Sequence, residues 1–467
     1  MAKASLEYLE TENRDRQMDT PDAKNVICPG PPSPQDLVVC EKLNHGFFDY
    51  LLQLREQYGK IVRLVWGKQT FYMLSEPEDI REIFVKRTDE FIRGNVFIGI
   101  RLVSDLDNLF TSEGTEWRVQ RDLAQPHFTR AALESFSDTI PSIVLDYISK
   151  EISGKEQCSL ELIDSTREIT MRVILSKLLS LKDPIRIRAL LLTARNADSW
   201  NVPFYYISQD RMSREPDYYH LLFSSFDPMI YELIDHHLDH PKQYDDLVTS
   251  YIETDFVKSL SRPEQRRYLR SIVFTLILAG FESTGSGLFS TLYMLAKNPD
   301  SFSKVREEVD AAFPDSQPNT KGLLNTLPYT YACVNEALRL FPPVWFMGRE
   351  ATRDTTYHGY SIHQGDVMLA SPYVIQRNPL HWRNPDRFIP DRFLEKDVPI
   401  GAYIPFGLGP RQCAGKWMAL YEMILATSTL VRNYDFGVEC DGDFELNTLF
   451  TLRPKNSFSA TFTKRIF

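Results

Sequence analysis

A glycine-rich loop, Phe406 to Gly415, surrounds a single cysteine, Cys413. Two glycines and a proline favour a tight turn before the sulfur, Arg411 lies two residues ahead of it, and a helical pattern begins just after it. Backbone N–H groups of such a loop and the N-terminus of the next helix stabilise a thiolate relative to a thiol. Cys413 is therefore a candidate ligand for iron; an inert cysteine in a chance glycine-rich turn is the alternative.

A carboxylate and a guanidinium, Glu336 and Arg339, are spaced three residues apart, so both lie on one face of a predicted helix. Such pairs are common on solvated helix surfaces, and an isolated one carries little information. This pair is followed directly by Pro342 and Pro343, which end the helix. A further arginine, Arg392, follows in the segment 388–393.

A long apolar helix is predicted around the segment 278–287, which contains three glycines and several small hydroxyl residues. Each glycine disfavours a regular helix by roughly 1 kcal/mol, so the segment predicts a local widening of the helix. Close packing against a neighbouring helix through small residues is the alternative. Ser283 and Thr284 supply hydroxyl groups at its centre.

These segments together resemble the cytochrome P-450 family. The cysteine loop is similar to the family's haem-binding signature F-x-x-G-x-R-x-C-x-G at its fixed positions Phe406, Gly409, Arg411, Cys413 and Gly415. The segment 336–339 resembles the family's E-x-x-R motif, 388–393 its F-x-P-x-R-F motif, and 279–284 its oxygen-binding motif A/G-G-x-D/E-T-T/S. The resemblance covers nearly the whole chain after residue 36, with the motifs in the family's order.

The resemblance implies haem b, iron protoporphyrin IX, with Cys413 as the metal ligand. In the family the thiolate donates electron density to iron and favours cleavage of the O–O bond. The other cofactor-binding residues that the resemblance implies are Trp117, Arg121, Ala279, Gly280, Arg349, Phe406, Arg411 and Gly415. It also implies that Glu336, Arg339 and Arg392 form a buried structural cluster beside the cysteine loop.

On the oxygen-binding segment, the resemblance implies that Glu282, Ser283 and Thr284 are catalytic. Glu282 matches the acid of the motif, but Ser283 stands where the family usually has a proton-delivering threonine. Serine keeps the hydroxyl and lacks the methyl that stiffens χ1, so its hydroxyl is held less firmly. We expect slower or less coupled O–O cleavage, or chemistry that needs less proton delivery.

The implied activity is that of a haem-thiolate monooxygenase, which activates O2 to hydroxylate or epoxidise a hydrophobic or aromatic small molecule, as in secondary metabolism. By resemblance the substrate-lining residues are apolar, namely Phe97, Phe274, Leu278, Phe281, Val344, Trp345, Phe346 and Phe450. Oxidative coupling, desaturation, rearrangement and peroxide-driven oxidation are alternatives on the same scaffold. A non-enzymatic haem-binding protein is a further alternative.

The electrons for this chemistry are expected to come from outside the chain. The segment 407–409 lacks the third glycine of a dinucleotide fingerprint and follows no βαβ pattern, and no flavin module is evident. We expect a separate redox partner, either a ferredoxin with its reductase or a flavoprotein reductase, unless peroxide is the oxidant. An acidic partner would dock near Arg118 and Lys416.

The elements that must position these residues are mostly helical. Helices are predicted over 266–297, 301–313 and 329–340, a β-hairpin over 61–74, and short strands within 356–375. The predicted fold is a mainly α, single-domain cytochrome P-450 fold, with a long central helix over the haem and a small β portion. It spans residues 37–467, after a flexible lead-in and proline-rich hinge over residues 1–36.

Composition limits the remaining function classes. The 467 residues carry a formal net charge of −10, with a pI near 5.5, which argues against nucleic acid or an anionic membrane as a partner. Six cysteines without a C-x-x-C pair favour a reducing compartment and argue against structural zinc. The polar N-terminal segment has neither a signal-peptide pattern nor an apolar span. We expect a soluble, bacterial-type, cytoplasmic monomer without a membrane anchor.

Overall fold

The computed structural model describes residues 27–31, 46–66, 69–97, 104, 106–134, 139–198, 224, 226–320, 322–395, 398, 400–440, 444–448 and 451–466. The α-helices of this part are α1 (Phe47–Tyr58), α2 (Pro77–Arg81), α3 (Gly114–Ala124), α4 (Arg130–Glu134), α5 (Thr139–Ile152), α6 (Leu162–Leu178), α7 (Pro184–Asp198), α8 (Asp227–Asp239), α9 (Leu247–Ile252), α10 (Asp255–Ser259), α11 (Arg262–Lys297), α12 (Pro299–Ala312), α13 (Leu323–Thr326), α14 (Pro328–Leu340), α15 (Pro372–Ile375) and α16 (Lys416–Asn433). The chain is mainly α, as predicted.

The long helix α11 begins earlier than the sequence predicts. Glu264 accepts hydrogen bonds from the backbone N–H and the hydroxyl of Ser261, at 2.9 and 2.6 Å, which caps the first turn. Pro263 lies in that turn, where its missing N–H has no helical partner to lose. The helix is long and apolar enough to cross a membrane, but 72% of its most apolar window is buried inside the protein, as in a core helix.

The expected widening of α11 is wrong, because the helix runs without interruption through its glycines. The glycines instead allow close packing against neighbouring helices. A Cβ at Gly285 would lie 3.0 Å from the Cα of Arg167 on α6, and one at Gly287 would lie 2.7 Å from the Sδ of Met423 on α16. The alternative interpretation, close helix packing through small residues, is the one the structure shows.

A five-stranded sheet lies beside the helices in the order β1-β2-β8-β5-β3. Its strands are β1 (Ile61–Trp66), β2 (Gln69–Leu74), β3 (Phe91–Ile92), β5 (Met347–Ala351) and β8 (Val367–Ala370). The predicted hairpin is present as the antiparallel pair β1–β2, and β2 also pairs with β8 in parallel. The segment 344–346 lies between the end of α14 and the start of β5. Because β5 begins directly after Phe346, the sheet fixes the position of this segment.

Smaller sheets complete the fold. A three-stranded sheet has the order β4-β12-β9, and two-stranded sheets pair β6 with β7 and β10 with β11. Their strands are β4 (Gln157–Glu161), β6 (Thr355–Tyr357), β7 (Tyr360–Ile362), β9 (Tyr434–Cys440), β10 (Leu446–Thr448), β11 (Leu452–Pro454) and β12 (Phe458–Lys464). The largest buried apolar cluster lies among α5, α6, α11, α14 and α16, and two smaller ones lie against the five-stranded sheet.

The proline-rich segment belongs in part to the folded structure, which corrects the boundary expected at residue 36. The side chain of Cys28 is 4% exposed, and the backbone N–H of Arg63 donates to the Pro29 carbonyl at 2.8 Å. A side chain at Gly30 would overlap the backbone carbonyl of Arg63. Residues 27–31 therefore lie along strand β1 and are not a free hinge.

Candidate functional site

The cysteine loop is held in a tight turn by its glycines. Gly407 and Gly409 have φ of +74° and +76°, a conformation that L side chains rarely adopt. The backbone N–H of Cys413 donates to the Phe406 carbonyl at 2.9 Å and closes the turn. The loop also lies against the N-terminal part of the chain, where a Cβ at Gly409 would overlap the carbonyl oxygen of Phe84.

The Gly409→Ala substitution should therefore destabilise the loop through both backbone strain and overlap. We expect a loss of about 2 kcal/mol or more in the free energy of unfolding, together with reduced cofactor content. Gly154→Ala is the matched control, because Gly154 has φ of +81° and open space around its missing Cβ. Equal losses in the two variants, measured by denaturant unfolding, would contradict a role for the Phe84 contact.

Cys413 has an exposed surface and lines a cavity between the cysteine loop and α11. Burial raises the pKa of this thiol, while the backbone N–H of Gly415 and the nearby charges of Arg121, Arg93 and Lys416 act in the opposite direction. The donor and the cations around the sulfur therefore lower its pKa by less than burial raises it. A metal ion bound at this position would deprotonate the thiol outright.

The cavity beside Cys413 has a volume of about 280 Å³. It is bounded by the cysteine loop, one face of α11, the segment 343–347 and the start of α16. The sequence-predicted residues that line it are Trp117, Arg121, Ala279, Gly280, Ser283, Thr284, Val344, Trp345, Phe346, Arg349, Phe406, Arg411, Cys413 and Gly415. The structure thus brings residues predicted from several separate segments of the sequence together around one cavity.

Four arginines, Arg93, Arg121, Arg349 and Arg411, line the cavity. Arg121 donates to the Gln412 carbonyl at 2.9 Å, and Arg349 donates to the Gly348 carbonyl at 2.8 Å. Burial lowers the pKa of Arg349 to about 10 and holds the pKa of Arg93 well below its usual range. Concentrating these cations in one buried place is unfavourable without an anion to balance them.

One carboxylate, that of Glu113, balances part of this charge. It pairs with Arg411 and accepts the backbone N–H groups of Arg93 and Gly94 at 2.8 and 3.2 Å. The Arg411 guanidinium also stacks on the Trp117 ring at 4.1 Å. Its Nη1 is nevertheless buried without a hydrogen-bond partner among the described residues. The site therefore has donors and positive charge in excess of the anions that the described residues supply.

The cavity-facing side of α11 carries the residues 272, 275, 276, 279, 280, 283 and 284, a helical spacing of three and four. The hydroxyl of Ser283 donates to the Ala279 carbonyl one turn earlier, at 2.8 Å. Thr284 is buried at the end of this face, towards α16. Both hydroxyl groups therefore lie on the cavity wall, as the sequence predicts.

Three expected substrate residues of α11 lie on its other faces and do not line the cavity. Phe274 packs against Phe226, with ring centroids 6.1 Å apart, and Phe281 lies under the Arg167 guanidinium at 5.4 Å. Leu278 packs into the main apolar core. Helical spacing separates Phe274, Leu278 and Phe281 from the face that carries Ala279 and Ser283, so their expected contact with substrate stays a prediction that this placement does not favour.

Glu282 also stays outside the cavity. Its carboxylate pairs with Arg167 at 2.8 Å and Arg453 at 3.3 Å, and accepts a hydrogen bond from the Thr451 hydroxyl at 2.9 Å. Although burial acts to raise it, the pKa of Glu282 is lowered by these partners. In this arrangement Glu282 is an ionised member of a buried ion-pair network, and its expected catalytic role stays a prediction.

The structure places the remaining expected substrate residues as follows. Val344, Trp345 and Phe346 lie on the cavity wall opposite α11, on the segment that leads into β5. The side chain of Phe97 and the whole of Phe450 lie outside the described residues. Leu109 and Phe110, from the apolar stretch before α3, also line the cavity.

The expected structural cluster is assembled around the fully buried Glu336 and Arg339, with Arg392 at its partly exposed edge. Arg339 forms two hydrogen bonds to Glu336, both of 2.7 Å, and Arg392 approaches the same carboxylate at 3.0 Å. The backbone N–H of Ile389 donates to Glu336 at 2.9 Å, and Arg339 also donates to the Gln376 carbonyl at 2.8 Å. The cluster thereby fixes the segment 376–392 onto α14, beside the segment that leads into the cysteine loop.

A sequence model of the family described as cytochrome P450 matches residues 29–461. The chain belongs to the cytochrome P450 family. It is 26% identical over 429 residues to mouse cytochrome P450 3A16, covering 84% of this chain and 82% of the relative. It is 27% identical over 417 residues to cytochrome P450 132 of Mycobacterium tuberculosis, covering 85% of this chain and 88% of that protein.

A solved structure described as the cytochrome P450DA heme domain has the same fold, with a TM-score of 0.79. It is 21% identical in sequence and the match covers 94% of this chain and 98% of that one. The protein is thus a P450 monooxygenase, whose cofactor is haem b and whose electrons come from a redox partner. Since its relatives come from both mammals and mycobacteria, the expected bacterial type stays a prediction.

The P450 cofactor fits the residues around the cavity. The Cys413 sulfur faces the cavity as a ligand for iron, and apolar side chains supply walls for a porphyrin. The cluster of Arg93, Arg121, Arg349 and Arg411, including the unsatisfied Nη1 of Arg411, matches a group that carries carboxylates. Haem b has two propionates, so it supplies the anions that this part of the cavity lacks.

The Arg349→Leu substitution should weaken haem binding by about 10- to 100-fold, the range expected for losing one charge-assisted hydrogen bond of about 1.5–3 kcal/mol. Haem occupancy, measured from the ratio of haem to protein absorbance during transfer to an acceptor apoprotein, reports the change. Arg353→Leu is the control, because the Arg353 side chain is 69% exposed and pairs with Glu90. Equal haem loss in both variants would contradict the role of Arg349.

Arg93 and Glu113 are among the P450 site residues that sequence reasoning missed. Arg93 lies between Ile92 and Gly94 at the start of an apolar stretch, and a cation in that position was the available signal. Its guanidinium stacks on the Phe110 ring at 4.4 Å and lies beside Arg349 and Arg411. Glu113 ends the same stretch, and its link between Arg93 and Arg411 depends on tertiary contacts that the sequence does not reveal.

Proposed function

We propose that this P450 inserts oxygen from O2 into a hydrophobic small molecule bound between α11 and the segment 344–346. The observation that carries the proposal is the apolar lining of the cavity away from the arginines. That lining includes Leu109, Ile174, Leu178, Ile272, Leu276, Val344 and Phe346. An aliphatic or aromatic substrate is favoured by burial of its surface against these side chains.

The residues have separate tasks in this proposal. Bound haem supplies the redox chemistry that activates O2. Cys413 holds it from one side, the four arginines neutralise its carboxylates, and the apolar wall excludes bulk water from the reacting substrate. Ser283 and Thr284 supply hydroxyl groups on the part of α11 that lines the cavity. In this proposal these hydroxyls deliver the protons that the reaction needs.

Ser283 carries the main departure from the family motif. Its hydroxyl donates to the Ala279 carbonyl, so it must rotate about χ1 before it can donate into the cavity. We expect Ser283→Ala to lower the fraction of electrons that reach product several-fold and to raise peroxide release. Ser283→Thr is the conservative comparison, and its added methyl should raise that fraction above wild type. Unchanged coupling in both variants would contradict a role for this hydroxyl.

A protein redox partner with an acidic face is part of the proposal. Arg118 and Arg130 are exposed, and Lys416 lies at the start of α16 directly after the cysteine loop. These cations support docking of an acidic ferredoxin or flavoprotein domain on that side of the molecule. Reduction by such a partner should slow as salt is raised, because salt screens surface charges. The expected cytoplasmic location, monomeric state and role in secondary metabolism stay predictions.

The test combines substrate discovery with oxygen tracing. A library of apolar compounds is screened for the change in haem absorbance that follows displacement of the distal water. Each hit is then turned over under labelled O2 with a surrogate reductase. Label in the product supports oxygen insertion, whereas an oxidised product without label would replace the proposal with coupling, desaturation or rearrangement.

A further inference from the structure

The carboxylate of Glu113 lies behind the cavity wall and connects separate parts of the site. Its Oε1 accepts the backbone N–H groups of Arg93 and Gly94 at 2.8 and 3.2 Å. Its Oε2 pairs with the Nη2 of Arg411, two residues before Cys413. Glu113 is the N-cap residue of α3, yet its side chain accepts no hydrogen bond from the described backbone of that helix. Helix capping therefore does not explain this carboxylate.

The charge of Glu113 acts on several arginines of the cavity. Burial lowers the pKa of Arg93, Arg349 and Arg411, and Glu113 opposes that effect in each of them. The cavity holds four arginines and haem brings two carboxylates, which leaves an excess of two positive charges. Buried cations without anions are costly, so a further anion beside them is favourable. Glu113 supplies that anion and reduces the excess to one.

Arg411 has donors for two anions. Its Nη2 pairs with Glu113, and its guanidinium stacks on the Trp117 ring at 4.1 Å. Its Nη1 is buried without a hydrogen-bond partner among the described residues. A planar guanidinium held by one nitrogen and across one face presents its other donors in a fixed direction. The buried Nη1 is thus left for a carboxylate of the cofactor.

The backbone contacts of Glu113 are separate from its charge. They join the two ends of the stretch 93–113, whose residues Leu109 and Phe110 line the cavity. The Arg93 guanidinium strengthens this closure, because it donates to the Phe110 carbonyl and stacks on the Phe110 ring at 4.4 Å. A glutamine at position 113 keeps an oxygen for the two backbone N–H groups and loses only the charge. Mutation can therefore separate the two tasks.

We propose that Glu113 is a positioning residue for the cofactor: it shares Arg411 with a haem carboxylate, and its charge lowers the reduction potential of the iron. A negative charge stabilises ferric iron relative to ferrous iron, because the oxidised site carries one more positive charge. The redox partner still supplies the electrons. The inference goes beyond the proposed oxygen insertion, because it concerns the cofactor alone and is tested without turnover.

The first test measures the reduction potential of the full-length holoprotein. Glu113→Gln should raise the potential, with an equilibrium constant for reduction about 3- to 10-fold higher than wild type. Glu113→Asp keeps the charge and should stay closer to wild type. Glu116→Gln is the control, because it removes the same charge from an exposed residue of α3 that does not line the cavity. An unaltered potential in Glu113→Gln, or an equal rise in Glu116→Gln, would overturn the proposal.

The second test asks whether Glu113 acts on the haem carboxylates. The full-length protein is reconstituted with haem or with haem dimethyl ester, whose ester groups carry no charge. The rate of cofactor loss to an acceptor apoprotein is then measured for each. The ester should be lost faster, and the ratio of the two rates should rise about 3- to 10-fold in Glu113→Gln, because the larger excess of positive charge favours charged carboxylates. A ratio that stays the same or falls would contradict the sharing of Arg411.

Hydrogen exchange separates the charge from the backbone contacts. In Glu113→Ala the backbone N–H groups of Arg93 and Gly94 should exchange faster, since their acceptor is gone, whereas Glu113→Gln should keep them close to wild type. The reduction potential should rise in both variants. A potential that changes only in Glu113→Ala would assign the effect to movement of the chain and would refute the electrostatic role.

This inference and the proposed function fail in distinguishable ways. The reduction potential, the cofactor loss and the hydrogen exchange use neither substrate nor O2. If labelled O2 shows oxygen insertion and Glu113→Gln keeps the wild-type potential, only the inference on Glu113 is wrong. If wild type forms no labelled product, oxygen insertion is wrong, and the potential and the rates of cofactor loss still decide the role of Glu113.

Discussion

The Cys413→Ser protein should lack the thiolate-ligated Soret band in its carbon monoxide difference spectrum and should form product more than about 100-fold more slowly than wild type. Replacing a residue that only hydrogen-bonds to a metal ligand already lowers metal affinity or activity about 10- to 100-fold. Replacing the ligand itself should therefore cause a larger loss. A serine hydroxyl is a far weaker electron donor than a thiolate, and burial around the sulfur position disfavours its ionisation further.

Cys440→Ser is the control for this experiment. Cys440 is a half-buried cysteine at the end of β9, and it is not among the residues that line the cavity. Its replacement should leave the spectrum and the rate of product formation close to wild type. A Cys413→Ser protein with the unaltered thiolate spectrum would show that another residue ligates the iron.

The second large effect is expected at Glu336. Replacing it with alanine leaves the Arg339 and Arg392 guanidinium groups without their carboxylate, and Arg339 is completely buried. Breaking a buried ion pair by removing one partner costs about 3–5 kcal/mol, because the remaining charge is desolvated and unpaired. We expect a loss of that size in the free energy of unfolding, measured by urea denaturation, and poor haem retention.

An exposed ion pair provides the matched control. Glu82 pairs with Lys86 at 2.8 Å on the protein surface, four residues apart. Glu82→Ala should change the free energy of unfolding by no more than about 0.5 kcal/mol, because water and salt screen such pairs. If Glu336→Ala were as mild as Glu82→Ala, the buried cluster would not be the stabilising element that its geometry indicates.

Local patterns in the sequence were sufficient to predict much of the fold and the cysteine side of the site. Gly407, Gly409 and Cys413 lie close together in the chain, so their spacing carries the loop geometry directly. The hairpin over 61–74 and the E-x-x-R pair of α14 are equally local, and each appears where it was predicted. In these segments the residues that form the structure are also neighbours in the sequence.

The faces of α11 could not be predicted in the same way. A half-exposed helix shows an apolar stripe that identifies its buried face. Most of α11 is buried on several sides at once, so Phe274 and Thr275 both lie inside and periodicity does not separate them. The elements packed around α11 determine the environment of each face instead. Phe226 packs against Phe274, and Arg167 and Arg453 pair with Glu282. Ser283 faces the cavity.

Arg93 and Glu113 were missed for a related reason. A glutamate at the end of an apolar stretch is ordinary, and only its contacts with Arg93 and Arg411 place it in the site. Arg93 gains its significance from Arg349 and Arg411, which are remote in the chain. The electrostatic character of a buried site depends on such remote neighbours, whereas its backbone shape depends more on local sequence.

The contact of Gly409 with Phe84 has a consequence for how the chain assembles. The haem-binding turn lies near the end of the chain, yet the surface against which it fits belongs to the first hundred residues, and β2 must likewise wait for β8. Contacts between such distant segments form late and slow the search for the native state. During synthesis strand β2 therefore remains without this partner until residues 367–370 have been made. Because the cysteine loop also needs Phe84 and Gly409 in contact, we expect haem capture to follow the pairing of these distant segments.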